Sequence, residues 1–263
     1  MKRWIGKMPE DKHNKIIAEQ AREALSPIGC RQKGRSRVWI GDHHWWVDLV
    51  EFQPSSWPKG SCLNVAACWL WDGKDYFSFD VSHRVSGHVQ FVDPKLFETE
   101  MRVMANQARA EVLTLRNRFH SLAAVAHWLD SQPDDGGWKS FHAGISNGLV
   151  GNVDGARTRF LRVASQVWDG QSKYISRATN GEEIERVLYI DEPHWRLDLK
   201  SRAQELAELV ADREAFLAEV TANIQKTRAA VKLPNVDVAQ RLADENVSNR
   251  PSGHAKMIRS LER

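Results

Sequence analysis

Long apolar runs are missing from this sequence: charged residues interrupt every hydrophobic stretch within a few positions, and none reaches the length of a membrane span. The opening Met1-Lys2-Arg3-Trp4-Ile5-Gly6-Lys7 is followed by no apolar run that would serve as a secretion signal, so a cytoplasmic location with no membrane partner is expected. Cysteine is scarce. The three present, Cys30, Cys62 and Cys68, are odd in number and lack ligand-like spacing, which points to reduced, mostly buried thiols and away from a disulfide framework. Charge of one sign is lacking as well, with 37 lysines and arginines against 34 acids. The balance is as even within residues 1–93 as beyond them, so neither part is marked as a polyanion binder.

Reactive motifs are absent too. Gly-x-Ser-x-Gly does not occur, and Val85-Ser86-Gly87 lacks its first glycine. Gly144, Gly148 and Gly151 have helical spacing without Gly-Lys-Ser/Thr, which suits close helix packing better than a phosphate loop. Ten histidines include no His-Glu-x-x-His, and neither His83 with His88 nor His120 with His127 closes a ligand set. No catalytic residue, metal or cofactor is expected.

What is present is the composition of a globular chain, 42% hydrophobic and 27% charged. The hydrophobic period changes near residue 93, from two to 3.6. Before it, a helix over Asp11 to Leu25, stopped by Pro27 and Gly29, leads into about four candidate strands: Arg35 to Ile40, Trp45 to Gln53, Cys62 to Trp71 and Tyr76 to Val81. Short turns between them require antiparallel pairing. After it, Phe97, Met101, Met104, Ala108, Val112, Leu115, Phe119, Leu122, Ala126 and Leu129 form the seam of a long helix, with a break near Asn117 and an N-cap at Ser121. Helical pairs follow at Trp138 to Val150 with Asp154 to Val167, and at Trp195 to Val210 with Arg213 to Val231. A short helix near Val236 to Glu245 precedes a polar tail, 248–263.

The expected fold class is therefore α+β: an N-terminal helix plus antiparallel sheet over 1–93, capped by a helix over 94–131, and an all-helical C-terminal domain over 94–263. Gly148, Gly151-Asn152, Ala156 and Phe160 in the 138–167 hairpin resemble the turn and Ala-x-x-x-Phe half of a tetratricopeptide repeat. The stretch Ala24-Leu25-Ser26-Pro27-Ile28-Gly29-Cys30-Arg31-Gln32-Lys33-Gly34, with Val38-Trp39 and Trp46-Val47-Asp48-Leu49-Val50, resembles the bacterial family called domain of unknown function 4304, over roughly residues 10 to 130. That resemblance implies an α+β fold entered through a helix and a "Leu-x-Pro-x-Gly-aromatic-x-Lys-Lys-Gly" phrase, and it implies no activity. Cys30 stands at the family's aromatic position and Gln32 where a basic residue is frequent.

Two constellations could bind something. Arg31, Lys33, Arg35 and Arg37 alternate, so an extended segment would project all four from one face, suited to phosphates or an acidic partner; charged edge strands also serve as protection against edge-to-edge pairing. Tryptophan is abundant, 11 in all. Six lie between residues 39 and 71, and alternation sends Trp45 and Trp46 to opposite faces while Trp57 sits in a loop between prolines. Trp57, Trp45 and Trp46 are the candidate partner-binding residues, set against the bland reading that these rings are core. The leading functional expectation is a non-catalytic protein-binding module, for example a bacterial immunity or accessory protein. Nucleic-acid binding through the basic strand, with Arg157, Arg159 and Arg162 on the later helix, is the alternative, and a hydrolase or nuclease of unrecognised type the third reading.

Overall fold

The computed structural model describes residues 12–55, 58–133, 137–168, 170–177, 183–189 and 191–248. Helix α1 (Lys12–Leu25) buries Ile17, Ala21, Ala24 and Leu25, a period-3.6 face. A 3₁₀ turn at Ser26–Ile28 with Pro27 inside it ends the helix, and Gly29, at φ +81°, closes the turn by donating its N–H to the Ser26 carbonyl. The chain then forms a five-stranded antiparallel meander, β1 (Arg31–Gln32), β2 (Val38–Asp42), β3 (Trp46–Pro54), β4 (Gly60–Trp69) and β5 (Val81–Gln90), paired in sequence order. The centre is the β3–β4 pair, with Leu49 opposite Ala66 and Val50 opposite Val65. Every position from Trp46 to Val50 is buried, so both faces of this pair are covered.

The last strand differs from expectation. Tyr76–Asp80 is not a strand, and β5 starts where that run was to end. Side chains hold the segment as a loop: Ser78 Oγ donates to Asp80 Oδ1 at 2.5 Å, the Lys74 ammonium donates to Ser78, and the backbone N–H of Trp69 donates to Asp80 Oδ2 at 2.7 Å. The apolar run Tyr76-Phe77-Ser78-Phe79 therefore reads falsely as a strand, while β5, which is polar and mostly exposed, gives little periodic signal.

Helix α2 (Pro94–Arg118) starts at Asp93, whose carboxylate accepts from the N–H groups of Lys95 and Leu96. It packs on α1 and on β3, β4 and β5, and it buries Phe97, Met101, Met104, Ala105, Ala108, Val112 and Leu115. The expected break is present: α2 ends at Phe119, and Ser121 Oγ accepts from Ala124 N to start α3 (Leu122–Ser131).

Helices α4 (Trp138–Leu149), α5 (Val153–Ala164), α6 (His194–Leu209), α7 (Arg213–Ala230) and α8 (Val238–Ser248) follow. The fold class is α+β with a helical C-terminal region. That region is not all-helical, because β6 (Gln171–Arg177) and β7 (Glu183–Tyr189) form a separate two-stranded antiparallel sheet. The chain divides into two compact units, one of the described residues to Val125 with those from Glu219, the other of Ala126–Ala218. The change of period at residue 93 marks a change of secondary structure and not the edge of a unit, since α2 lies on the sheet it follows. The tail beyond 248 lies outside the described residues.

In the second unit Phe160 on α5 is buried with its ring against Gly144 on α4, filling the space between the two helices. A Cβ on Gly144 would stand 2.5 Å from the Phe160 ring, and one on Gly148 would stand 2.5 Å from Phe216. Gly144→Ala should therefore cost about 1–3 kcal/mol through overpacking. A urea midpoint equal to the parent's would show that the ring moves aside freely.

Candidate functional site

The tryptophans singled out by the sequence are core residues. Trp45 and Trp46 are 2% and 3% exposed, and Trp39, Trp69 and Trp71 are also buried; Trp57 lies outside the described residues. Strand alternation does not separate Trp45 from Trp46, because His44 has φ +70° and β3 begins only at Trp46. Both rings therefore reach Trp69, each with its centroid 6.0 Å from that ring, and Phe119 closes on Trp69 edge-on at 5.1 Å. Trp45 and Trp46 thus stand in the core and not on the surface where the sequence alone would have a partner bind.

The basic comb does not form either. Gly34, at φ +58°, turns the chain, and Ser36 N donates to the Lys33 carbonyl, so residues 31, 33, 35 and 37 share no extended face. Arg37 is structural: its Nε donates to Asn14 Oδ1 at 2.6 Å and its Nη1 to the Gly60 carbonyl at 3.0 Å, joining α1 to the sheet. Lys33 lies over the Phe77 ring, 4.6 Å from its centroid. Arg31 and Arg35 are exposed. On α5, Arg157 is exposed whereas Arg159 pairs with Asp130 at 3.0 Å.

Two polar clusters lie in the first unit, and neither was legible as a motif. Asp48, fully buried on β3, accepts from Arg116 Nε on α2 at 2.7 Å and from His43 Nε2 at 2.7 Å, while the Cys30 thiol donates to it at 3.3 Å. Gly41 makes room: a Cβ there would stand 2.4 Å from Asp48 Oδ1 and from the Arg116 guanidinium. Burial disfavours the Asp48 charge, but the hydrogen bonds from His43 and Arg116 outweigh it and lower its pKa. Burial, then the adjacent Asp48 charge, pushes the Cys30 thiol up to about 12, so Cys30 is no thiolate at neutral pH.

In the second cluster the buried Lys74 ammonium pairs with Asp72 at 2.9 Å and Asp80 at 3.3 Å beside Ser78. Burial disfavours its charge, yet Asp80 leads the groups that raise its pKa overall, so it stays protonated and does not act as a base on Ser78. Burial likewise raises Cys68 to about 11. Both clusters brace the sheet. Among the described residues no three metal-ligating side chains converge, and no helix is long and apolar enough to cross a membrane.

Besides Tyr76 and Phe79 in the first unit, an exposed pair of stacked tryptophans stands in the second unit. Trp138, at the start of α4, and Trp195, at the start of α6, are 37% and 50% exposed, with ring planes 15° apart and centroids 6.5 Å apart. Arg196 continues the row, its guanidinium 5.8 Å from the Trp195 centroid and 4.9 Å from that of Trp168. Gln166 accepts from Arg196 Nη2 at 2.8 Å and Glu192 from its Nε at 3.3 Å, which fixes the cation between the rings. Arg196 thereby ties the segment before β6 to the segment after β7. Both tryptophans follow helix-breaking residues, Gly136-Gly137 and Pro193, the sequence signal that would have found them.

The chain matches no protein-family model, no curated protein and no solved structure.

Proposed function

We propose that this chain is a non-catalytic protein-binding module that docks its partner on the row formed by Trp138, Trp195, Arg196 and Trp168. The observation that carries this reading is two near-parallel tryptophan rings, partly open to solvent and braced by a guanidinium held at two further points. Tryptophan and arginine are the residue types that dominate binding energy at protein interfaces, and a pre-braced ring loses little freedom on contact. The hydrogen bonds and raised thiol pKa values around Asp48 and Lys74 support the non-catalytic part. Nucleic-acid binding remains the second reading, favoured by Arg31, Lys33 and Arg35 all being exposed in the short segment that turns at Gly34.

Trp195→Ala should cost about 2 kcal/mol or more in partner affinity. Affinity capture with the parent and with Trp138→Ala/Trp195→Ala, followed by calorimetry on the partner recovered, checks it. A partner held equally by both chains, or parent retention on heparin that depends on Arg31 and Arg35, would sink the protein-docking reading.

A further inference from the structure

We propose that the groove between the end of α1 and β1 binds a small phosphate-bearing ligand, gripped by Arg22 and Arg31. The groove has a volume of about 430 Å³, within the range of small-molecule pockets, and is lined by these two arginines with Ser26, Cys30, Gln32 and Trp39. Its lining residues include two arginines and no acidic residue.

That contrast separates the pair from the arginines that brace the fold. Arg116, Arg159, Arg196 and Arg228 each pair with an aspartate or glutamate, and Arg37 is held by Asn14 and a backbone carbonyl. Arg22 and Arg31 have no acidic partner among the described residues. An arginine in the last turn of a helix also offsets the helix dipole, which accounts for Arg22 but not for Arg31 facing the same space. A phosphate monoester carries close to two negative charges at neutral pH, and two guanidinium forks match its charge and oxygen geometry better than they match a carboxylate.

The wall is also pre-formed. Arg116 reaches under it, Nη1 donating to the Ile28 carbonyl at 2.5 Å and Nη2 to Cys30 Sγ at 3.3 Å, and the Cys30 N–H donates to the Leu25 carbonyl at 3.1 Å. Asp48 neutralises Arg116, so the charge left facing the groove is that of Arg22 and Arg31. At the rim, a Cβ built on Gly29 meets nothing within 4 Å, and the buried Trp39 ring supplies an apolar side wall.

The test is an amide-shift titration of the full isotopically labelled chain with inorganic phosphate, then adenosine monophosphate, at constant ionic strength against sodium acetate. Saturable shifts are expected at Gly29, Cys30, Arg31 and Gln32, weakened at least tenfold in Arg22→Gln and in Arg31→Gln, abolished in the double variant, partly kept in Arg22→Lys and unchanged in Arg35→Gln. Acetate acting as strongly as phosphate, or a folded double variant that binds like the parent, would overturn the proposal. So would a mixed-sequence oligonucleotide that binds more tightly than the monophosphate and is released by Arg35→Gln, since the turn and not the groove would then be the anion site. Trp138 and Trp195 take no part here, so the two proposals fail separately.

Discussion

Asp48→Ala is expected to destabilise the protein by about 3–5 kcal/mol, the cost of leaving a buried charge without its partner. Asp48 joins β3 to α2 through Arg116, to the β2–β3 turn through His43 and to the entry segment through Cys30. Its removal strands the guanidinium against Gly41, beneath the Ile28 carbonyl. The pair is not expected to stabilise the fold relative to apolar groups of the same shape, so Asp48→Leu/Arg116→Met should cost less than Asp48→Ala alone.

The same carboxylate sets a pH dependence. Its folded pKa lies below its unfolded value of about 3.9, so its contribution is fully present above that value and is lost as pH falls through the folded pKa. Asp42, whose charge burial disfavours but which Arg228 holds through two nitrogens at 2.8 and 2.7 Å, has a pKa lowered in the same direction. Urea midpoints measured from pH 7 to pH 3 should fall in the parent and fall less steeply in Asp48→Ala. A loss under 1 kcal/mol at pH 7 with an unchanged pH slope would mean that water replaces the carboxylate at no cost.

The elements could be read from the sequence wherever one periodicity acted alone. Helix α2 buries Phe97, Met101, Met104, Ala108, Val112 and Leu115, and its seam stands out because nothing else competes for those positions. The run Tyr76–Phe79 failed for the opposite reason: Lys74, Ser78 and Asp80 offer the backbone and one another hydrogen bonds that no hydrophobic pattern reports. The β6–β7 hairpin was missed although Asn180-Gly181, a favoured hairpin-turn pair, stands between the two strands in the sequence. The candidate site was the least legible. Trp138, Trp168 and Trp195 are spread along the chain and meet only in three dimensions, whereas the tryptophans dense in sequence, Trp39, Trp45, Trp46, Trp69 and Trp71, are buried.

Trp69→Ala is the other large effect, expected at about 3–5 kcal/mol, because that ring is the hub of the buried cluster. It is fully buried, with Trp71 stacked at 5.1 Å, Trp45 and Trp46 each at 6.0 Å and Phe119 edge-on at 5.1 Å. Deleting it opens a cavity where the sheet meets the end of α2, and four large rings cannot collapse into that space without moving β3. Trp69→Phe separates the packing from the polar part. The indole N–H of Trp69 is buried and finds no acceptor among the described residues, a condition that costs about 1–3 kcal/mol. Phenylalanine loses ring area but removes that donor, so its cost should be below about 1.5 kcal/mol. Trp195→Ala, at a half-exposed ring, should stay under about 1 kcal/mol in stability while it acts on binding. Near-ultraviolet circular dichroism adds a readout independent of stability, since losing a ring from a packed stack should remove far more signal at Trp69 than at Trp195. If Trp69→Ala and Trp195→Ala unfold at the same urea concentration, the sheet tryptophans are not the core of the first unit, and the division between a structural and a binding set of rings falls with them.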